Sequence, residues 1–309
     1  MPASEINSDL REREGTGAMV PSPAEGKFIG DIIKDIRSLS AEQVEQVLNH
    51  QRVHGVRFGE AAVALGFATQ ADVLHALSAQ YNYAVASSQD SAISKEVIAF
   101  HQPFGLLTES FRAARAQLVL TKPIRNEVSP ADFPTRTTAV AVTSCAAGDG
   151  KSFFCANLGV VLAQSGKRTL ILDADLRGGR QAKIFGLPET LGLVGLLSGR
   201  VSEPAVSAVH GIPNLFVLPA GNMPPNPQEL LESTAFALLL HELQGKFDHI
   251  IIDTSAQALG ADFLVVAARC QSILVVGRKH RTKLRTTQKL IADCRAVGAD
   301  VAGVVMNEH

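Results

Sequence analysis

The feature that most limits the fold is an apolar segment that runs through a glycine-containing turn into an apolar helix. Residues 139–143 are small or β-branched, residues 148–152 form the turn, and residues 153–164 have the composition of a buried helix. A strand, a tight glycine turn and a helix in this order form the first part of a parallel β-α-β unit. The turn therefore predicts an α/β domain.

The chain after this turn keeps alternating short apolar runs with longer amphipathic stretches. Near-continuous apolar strands separated by helices are typical of a parallel sheet that helices cover on both faces. We therefore expect residues 104–309 to form a doubly wound α/β domain with a mostly parallel sheet. The predicted strands are residues 138–143, 169–172, 215–218, 249–252, 272–276 and 301–306.

An internal repeat with an offset of 29 residues lies nearer the start of the chain, where Gly30 aligns with Gly59. Ser40 and Thr69 have the same offset, and each gives a helix N-cap signal before apolar residues at helical spacing. Two such copies can bury their apolar stripes against each other. The repeat predicts a small all-helical domain at residues 27–85.

Two other segments lack any such periodicity. Residues 1–26 mix Ser, Pro, Gly and charged residues, so we expect them to form a disordered leader. Residues 86–103 begin with a serine-rich stretch, which is typical of a linker. We therefore expect a leader, a helical domain, a linker and an α/β domain, in that order.

Composition excludes several classes of function. Lys and Arg number 29 against 30 Asp and Glu, which gives a net charge of −1 and argues against nucleic-acid binding through a basic face. The four cysteines lack CxxC spacing, so we expect reduced thiols of a cytoplasmic protein. No apolar run reaches the roughly 18–20 residues that a membrane span needs.

The glycine turn has the residues of a phosphate-binding loop. Backbone N–H groups at its glycines can converge on phosphate oxygens, and the following helix N-terminus adds partial positive charge. A lysine and a serine hydroxyl end the loop, and these groups bind phosphates and Mg²⁺ in such loops. The pattern predicts an ATP and Mg²⁺ site, although Cys145 replaces the usual first glycine. The predicted contacts are Ala147, Gly148, Asp149, Gly150, Lys151, Ser152 and Phe153.

Carboxylates follow two of the predicted strands. Asp173 and Asp175 come after residues 169–172, with their side chains on one side, and Asp253 comes after residues 249–252. Carboxylates at these strand ends can hold Mg²⁺ or accept a proton from a hydroxyl. The predicted catalytic residues are Lys151, Asp173, Asp175 and Asp253, the predicted Mg²⁺ ligands are Ser152, Asp175 and Asp253, and further nucleotide contacts are Arg177 and Asn307.

These motifs resemble those of the bacterial tyrosine kinases of polysaccharide export, which have the MinD/ParA-like P-loop NTPase fold. Residues 147–152 match the family's deviant Walker A motif, residues 170–177 its Walker A′ motif and residues 250–254 its Walker B motif. Residues 109–115 match its Glu-x-x-Arg-x-x-Arg oligomerisation motif. The resemblance covers residues 104–309.

The resemblance implies an ATP-dependent protein-tyrosine (auto)kinase that regulates exopolysaccharide chain length, polymerisation and export. It implies that Lys151 holds the phosphates and that Asp173 is the base for a tyrosine hydroxyl, although Asp175 could take that role instead. It also implies self-association into a ring through Glu109, Arg112 and Arg115.

The repeat at residues 28–80 resembles the MshEN domain of type II secretion and pilus ATPases, which can bind cyclic di-GMP. The resemblance implies ligand contacts at Arg57, Gly59 and Gly66. With this domain the whole chain resembles the chain-length-determinant kinases of the EpsG type. That resemblance implies a membrane-spanning, Wzz-like partner that holds a cytoplasmic protein at the inner membrane.

Departures from the kinase pattern leave an alternative open. Residues 255–256 are Ser-Ala where the family has Pro-Pro, and the chain has only two tyrosines, Tyr81 and Tyr83. The alternative is a MinD/ParA-like regulatory ATPase without kinase activity, gated by cyclic di-GMP at the N-terminal domain. Ala146 occupies the position of the signature lysine of that class, which favours the kinase.

Overall fold

The computed structural model describes residues 28–70, 72–73, 76–77, 92–121, 138–188, 191–201 and 206–308. The chain divides into two compact units, residues 1–83 and residues 84–309. The predicted leader, Tyr81 and Tyr83 lie outside the described residues. Within the described part, no helix is long and apolar enough to cross a membrane.

The first unit is helical, as the repeat predicts. Its helices are α1 (Ile29–Arg37), α2 (Ala41–His54) and α3 (Phe58–Ala64). Ser40 begins α2 with a capping box, because its Oγ accepts from the backbone N–H of Gln43 while the Gln43 side chain accepts from the Ser40 N–H. The N-cap predicted from sequence at this position is confirmed.

The core of the first unit repeats with the sequence offset. In four pairs of residues that the 29-residue offset aligns, both side chains are buried. The larger side chain comes from the first copy of the repeat, and the second copy supplies an alanine. The two copies therefore fill one core with complementary volumes, because a close-packed interior admits few voids. The buried pairs are Ile32 with Ala61, Ile33 with Ala62, Leu39 with Ala68 and Val47 with Ala76.

The second unit is built on a seven-stranded sheet with the order β3-β4-β2-β5-β1-β6-β7, in which all neighbours are parallel except β3 and β4. This order places β5 between β1 and β2, so the carboxyl ends of these three strands meet. The strands are β1 (Thr138–Ser144), β2 (Thr169–Asp173), β3 (Ser207–Ala208), β4 (Leu215–Leu218), β5 (His249–Asp253), β6 (Ser272–Arg278) and β7 (Asp300–Asn307).

Helices cover both faces of this sheet, and successive residues of β1 show why. Ala139 and Ala141 pack into one hydrophobic cluster, and Val140 and Val142 pack into another on the opposite face. The doubly wound architecture is therefore confirmed. The helices are α4 (Ile98–His101), α5 (Leu106–Thr121), α6 (Lys151–Ala163), α7 (Gln181–Ile184), α8 (Gly192–Leu197), α9 (Pro227–Glu232), α10 (Thr234–Gln244), α11 (Asp262–Cys270) and α12 (Leu284–Ala296).

The predicted linker at residues 86–103 differs from the structure over its described part, residues 92–103. Ile93, Val97 and Phe100 are buried in the core of the second unit. These three apolar residues are spaced by four and three positions, which is a helical signal that the neighbouring serines obscured. The α/β unit therefore begins before the predicted start at residue 104.

Asn157 on α6 fixes this segment. Its side chain is fully buried, its Oδ1 accepts from the backbone N–H of Ala99 at 2.9 Å, and its Nδ2 donates to the carbonyl of Glu96 at 3.0 Å. Buried polar groups are stable only when they are hydrogen-bonded, so this residue satisfies backbone groups that would otherwise be costly to bury. The helix that follows the glycine turn is thereby tied to the segment preceding the predicted domain.

Candidate active site

The glycine turn between β1 and α6 has the backbone of a phosphate-binding loop. Gly148 and Gly150 have φ values of +84° and +103°, in the left-handed region that favours glycine. A Cβ at Gly150 would collide with the side-chain amide of Asn307, which donates to the carbonyl of Asp149 at 3.2 Å. The loop therefore needs glycine at Gly150 both for its backbone conformation and for close packing.

The side chain of Asp149 forms a hydrogen bond within this loop. Its side chain is buried, and Oδ2 accepts from the backbone N–H of Ala146 at 2.9 Å. The side chain of Asp149 thus stabilises the loop, and its predicted nucleotide contact stays a prediction. The predicted adenine contact of Asn307 stays a prediction, with the described amide bonded to the loop.

Lys151 and Ser152 begin α6, as the motif predicts. The Lys151 side chain is buried at the base of the loop, and its charge acts on the carboxyl of Asp253. A buried ammonium group needs anionic partners. The carboxylate can supply one, and phosphate oxygens are the other anions that this loop is built to hold.

Asp173 and Asp253 are direct neighbours across the sheet. They end β2 and β5 and are paired in the register of those two strands. Adjacent strands lie about 4.8 Å apart, so the two carboxyl groups are forced together. Both are almost fully buried, with 1% and 0% of their surfaces exposed. This pair is the electrostatic centre of the site.

The surroundings of the pair shift both pKa values. Burial raises the pKa of Asp173 well above its usual range, and the charge of Asp253 raises it further. Burial also raises the pKa of Asp253, while hydrogen bonds from Ser152 and Gln181 and the charge of Lys151 lower it. Two carboxylates at this separation favour a shared proton or a cation.

The chemistry of these residues fits Mg²⁺. Oδ2 of Asp253 accepts from Gln181, whereas its buried Oδ1 has no hydrogen-bond partner in the described part of the chain. The Ser152 hydroxyl lies close enough to affect the carboxyl. The described residues contain no cluster of three or more His, Cys, Asp or Glu side chains that would hold a metal alone. Mg²⁺ commonly takes one or two protein oxygens and completes its shell with phosphates and water.

Asp175, the third predicted carboxylate, lies in the loop after β2. Its side chain is 7% exposed, and its Oδ1 accepts from the backbone N–H of Arg177 at 3.3 Å. Its own N–H donates to Oδ1 of Asp173 at 3.3 Å. Asp175 is therefore bonded to Asp173 through its backbone N–H, and both its proposed roles stay predictions.

Arg177, the next predicted nucleotide contact, forms an ion pair within the chain, and its contact with the nucleotide stays a prediction. Its Nε and Nη2 donate to the two carboxylate oxygens of Asp262 at 2.6 and 3.1 Å, which is a bidentate ion pair. Asp262 is almost fully buried and also accepts from the Ser255 hydroxyl at 3.4 Å. The pair joins the loop after β2 to the start of α11, so this guanidinium holds two site loops together.

Sequence reasoning missed Asp262 and Gln181. Asp262 lies in the first turn of α11, and an acidic residue in a first helical turn is a common capping signal. Gln181 lies in the four-residue helix α7, which no periodicity marks. Both act through contacts with residues distant in sequence, which one sequence does not reveal.

The predicted oligomerisation residues lie on α5. Arg112 pairs with Glu109 and donates to the carbonyl of Pro103, and Arg115 donates to the carbonyl of Val161 at 2.7 Å. The side chain of Glu109 is 58% exposed, whereas that of Arg112 is 14% exposed. Within the chain, the two arginines therefore bind backbone carbonyls, and Glu109 presents its carboxylate to solvent.

The predicted cyclic di-GMP residues lie in the first unit. Arg57 is exposed at the start of α3. A Cβ at Gly59 would lie 2.7 Å from Cγ1 of Val73, and Gly66 has a φ of +73°. Packing and backbone conformation thus account for both glycines, and Arg57 is the residue left for a ligand.

The buried pair leads to a prediction for the variant Asp253→Asn. Because the pKa of Asp253 is raised in the folded state, the contribution of this carboxyl to stability is present at low pH and is lost as pH rises through the folded-state pKa. The amide removes the uncompensated charge and can still accept from Gln181. We expect the nucleotide-free variant to unfold about 2–4 °C higher than the wild type at pH 8, which corresponds to about 1 kcal/mol.

The gain should be smaller at pH 5.5 than at pH 8, because the raised pKa of Asp253 increasingly favours its neutral form as the pH falls. Differential scanning calorimetry at both pH values measures it. The control is Asp300→Asn, which removes the same charge from an exposed position and should change stability by less than about 0.5 kcal/mol. A variant that melts below the wild type at pH 8 would contradict the electrostatic account.

Comparison with known proteins agrees with this geometry. Residues 136–309 match the ParA family, described as NUBPL iron-transfer P-loop NTPases. The chain is 35% identical to the tyrosine-protein kinase ptk of Acinetobacter johnsonii, over 60% of its own length and 26% of the relative. It is 32% identical to the tyrosine-protein kinase YwqD of Bacillus subtilis, over 73% of its own length and 93% of the relative.

A solved structure, the chimerical protein CapA2B2, superposes with a TM-score of 0.62 at 31% identity and covers 70% of this chain and 91% of its own. The chain spans about a quarter of the Acinetobacter kinase but nearly all of the Bacillus kinase. With the loop, the paired carboxylates and the sheet order in place, these matches show that the chain belongs to the bacterial tyrosine kinases of exopolysaccharide biosynthesis, which have the ParA/MinD-like P-loop NTPase fold.

Proposed function

We propose that this chain is an ATP- and Mg²⁺-dependent protein-tyrosine kinase that regulates the chain length, polymerisation and export of an exopolysaccharide. The observation that carries the proposal is the buried, register-paired Asp173 and Asp253 beside the Lys151 loop. A loop for phosphates, an orphaned carboxylate oxygen for a cation and a second carboxylate with a raised pKa are the parts that phosphoryl transfer needs.

The active-site residues have separate roles in phosphoryl transfer, which follow from their chemistry. The loop amides and Lys151 would hold the β- and γ-phosphates, while Ser152, Asp253 and Asp175 would hold Mg²⁺. A metal held there would supply charge neutralisation for the transferred phosphoryl group. Asp173 takes the proton of the tyrosine hydroxyl as its oxygen bonds to the γ-phosphorus and the bond to ADP breaks. A raised pKa suits this role, because it makes the Asp173 carboxylate a stronger base for the hydroxyl proton.

The variant Lys151→Met tests the kinase proposal. With Mg-ATP, with and without the cytoplasmic segment of a chain-length partner, phosphotyrosine should fall by about 100-fold or more, because the variant removes a preorganised cation at the transferred group. Quantitative phosphotyrosine mass spectrometry measures it on Tyr81, Tyr83 and the partner. The control Lys289→Met removes an exposed lysine that pairs with Asp293 on α12, and it should retain wild-type phosphorylation.

ATP turnover by the wild type without phosphotyrosine on either protein would contradict the kinase proposal. That result would favour the MinD/ParA-like regulatory ATPase. Wild-type levels of phosphotyrosine in Lys151→Met would instead contradict the role given to the loop.

The partner that we propose is a membrane-spanning, Wzz-like chain-length protein, which would hold the chain at the inner membrane. Support comes from kinase family membership and from the similarity to the chimerical protein CapA2B2. We also propose that copies of the chain form a ring through the exposed carboxylate of Glu109. A second copy can supply a cation to this carboxylate, whereas Arg112 and Arg115 already bind their own chain.

Charge reversal tests the ring. Glu109→Lys should place like charges at the contact between copies and shift the chain toward the monomer, with association weakened by about tenfold or more, since like-charge juxtaposition costs several kcal/mol. Analytical ultracentrifugation measures the mass. Glu242→Lys is the matched control, because Glu242 has a similar exposure of 57% and also pairs within one helix. Equal association of wild type and Glu109→Lys would contradict the ring contact.

A cyclic di-GMP site in the first unit is the remaining proposal, supported by the exposed Arg57 and the MshEN-like repeat. Titration calorimetry of the full chain with cyclic di-GMP should show binding that Arg57→Ala weakens about tenfold or more, because a charge-assisted hydrogen bond contributes about 1.5–3 kcal/mol. Arg52→Ala removes a nearby exposed arginine and is the control. No heat with the wild type, or equal affinity in both variants, would contradict this site.

A further inference from the structure

Gln181 touches three parts of the active site at once. Its backbone N–H donates to Oδ2 of Asp173 at 2.9 Å. Its side-chain Nε2 donates to Oδ2 of Asp253 at 2.8 Å and to the carbonyl of Ser152 at 3.1 Å. The residue has no exposed surface. One buried side chain therefore connects both strand-end carboxylates to the turn that carries the predicted metal-binding hydroxyl.

The two acceptors fix the orientation of this amide. Oδ2 of Asp253 and the backbone carbonyl of Ser152 both lie at hydrogen-bonding distance from Nε2, and the carbonyl can only accept. A flipped amide would set its oxygen against two other oxygens. The nitrogen must therefore face Asp253 and Ser152, and both of its hydrogens are used.

The amide oxygen of Gln181 differs from the nitrogen in its hydrogen bonding. Oε1 is buried and has no hydrogen-bond partner in the described part of the chain. A buried carbonyl without a donor is destabilising, because it has lost its hydrogen bonds to water. Oδ1 of Asp253, on the side chain that the same amide holds, is buried without a partner as well. Two orphaned oxygens on bonded neighbours indicate a place where an incoming group supplies a cation and hydrogen-bond donors.

We infer that Gln181 is a positioning residue for the Mg²⁺ of phosphoryl transfer, which holds the Asp253 carboxylate against the Ser152 turn and keeps Asp173 beside it. The inference rests on the proposed function. Neither Ser152 nor Asp253 can move away from the other while the amide joins them, so the cation meets its ligands already in place. Residues that orient metal ligands typically change metal affinity by 10–100-fold when they are replaced.

The test uses the full chain and follows binding of a fluorescent ADP while Mg²⁺ is titrated, so it does not depend on kinase activity. Gln181→Met keeps a similar side-chain volume, removes both side-chain N–H donors and leaves the backbone donor to Asp173 in place. It should raise the half-saturating Mg²⁺ concentration about tenfold or more. Affinity for ADP without Mg²⁺ should stay at the wild-type value. Gln181→Asn keeps an amide on a shorter side chain and should fall between the wild type and Gln181→Met.

Gln164→Met is the matched control. Its amide also donates to a backbone carbonyl, that of Ala99 at 3.2 Å, but at the opposite end of α6. This variant should keep the wild-type Mg²⁺ dependence. If Gln181→Met does not fold by circular dichroism, Gln181→Asn carries the same comparison.

Three results of these titrations would count against the positioning role of Gln181 or the function on which it rests. A half-saturating Mg²⁺ concentration that stays at the wild-type value in both Gln181 variants would overturn it. Equal losses of ADP affinity with and without Mg²⁺ would show a merely structural role and would also overturn it. A wild-type chain that binds no nucleotide in the presence of Mg²⁺ would overturn the proposed function itself, whereas intact wild-type binding with unaffected variants rejects the positioning role alone.

Discussion

The closeness of two buried carboxyl groups governs the site of this protein. Asp173 and Asp253 end neighbouring parallel strands in register, so the backbone hydrogen bonds of the sheet hold them together. Burial raises the pKa of each, and the charge of Asp253 raises the pKa of Asp173 further. Isolated charges are costly to bury, and a protein keeps such a pair only where cations or donors compensate it. The groups around the pair provide such cations and donors.

Those groups come from three segments: the start of α6, the helix α7 and the loop after β2. Lys151 brings a positive charge, Gln181 donates to both carboxylates, and the N–H of Asp175 donates to Asp173. None of these neutralises Oδ1 of Asp253, which stays buried and unpartnered among the described residues. The fold thus provides most of the compensation and leaves one oxygen for a cation that arrives with the nucleotide. The ion pair between Arg177 and Asp262 then closes the site by joining the two loops that follow β2 and β5.

Much of the architecture could be predicted from local patterns. Six of the seven strands were identified because buried parallel strands are nearly continuous apolar runs. β3 was not, because a two-residue antiparallel edge strand has no period to detect. The predicted linker extended too far along the chain, because the serine-rich stretch was used to place it and three apolar residues at helical spacing were not. In the first unit, the repeat predicted helices that share one core, and the burial of the aligned pairs confirms it.

The site was predictable only where a motif is continuous in sequence. Lys151 and the carboxylates that follow β2 and β5 lie where their motifs placed them. Gln181 acts on a carboxylate 72 positions away, and Arg177 pairs with a residue 85 positions away. Such contacts depend on the order of strands in the sheet. No local pattern encodes that order, so these roles required the structure.

The dependence of nucleotide affinity on Mg²⁺ tests the central claim most directly. If the paired carboxylates require a cation, phosphates should meet repulsion without Mg²⁺ and attraction with it. Titration calorimetry with ADP should then show affinity at least about tenfold tighter with Mg²⁺, a difference of about 1.4 kcal/mol. The Asp253→Asn variant should lose most of that difference. Equal ADP affinity of the wild-type chain with and without Mg²⁺ would contradict the account.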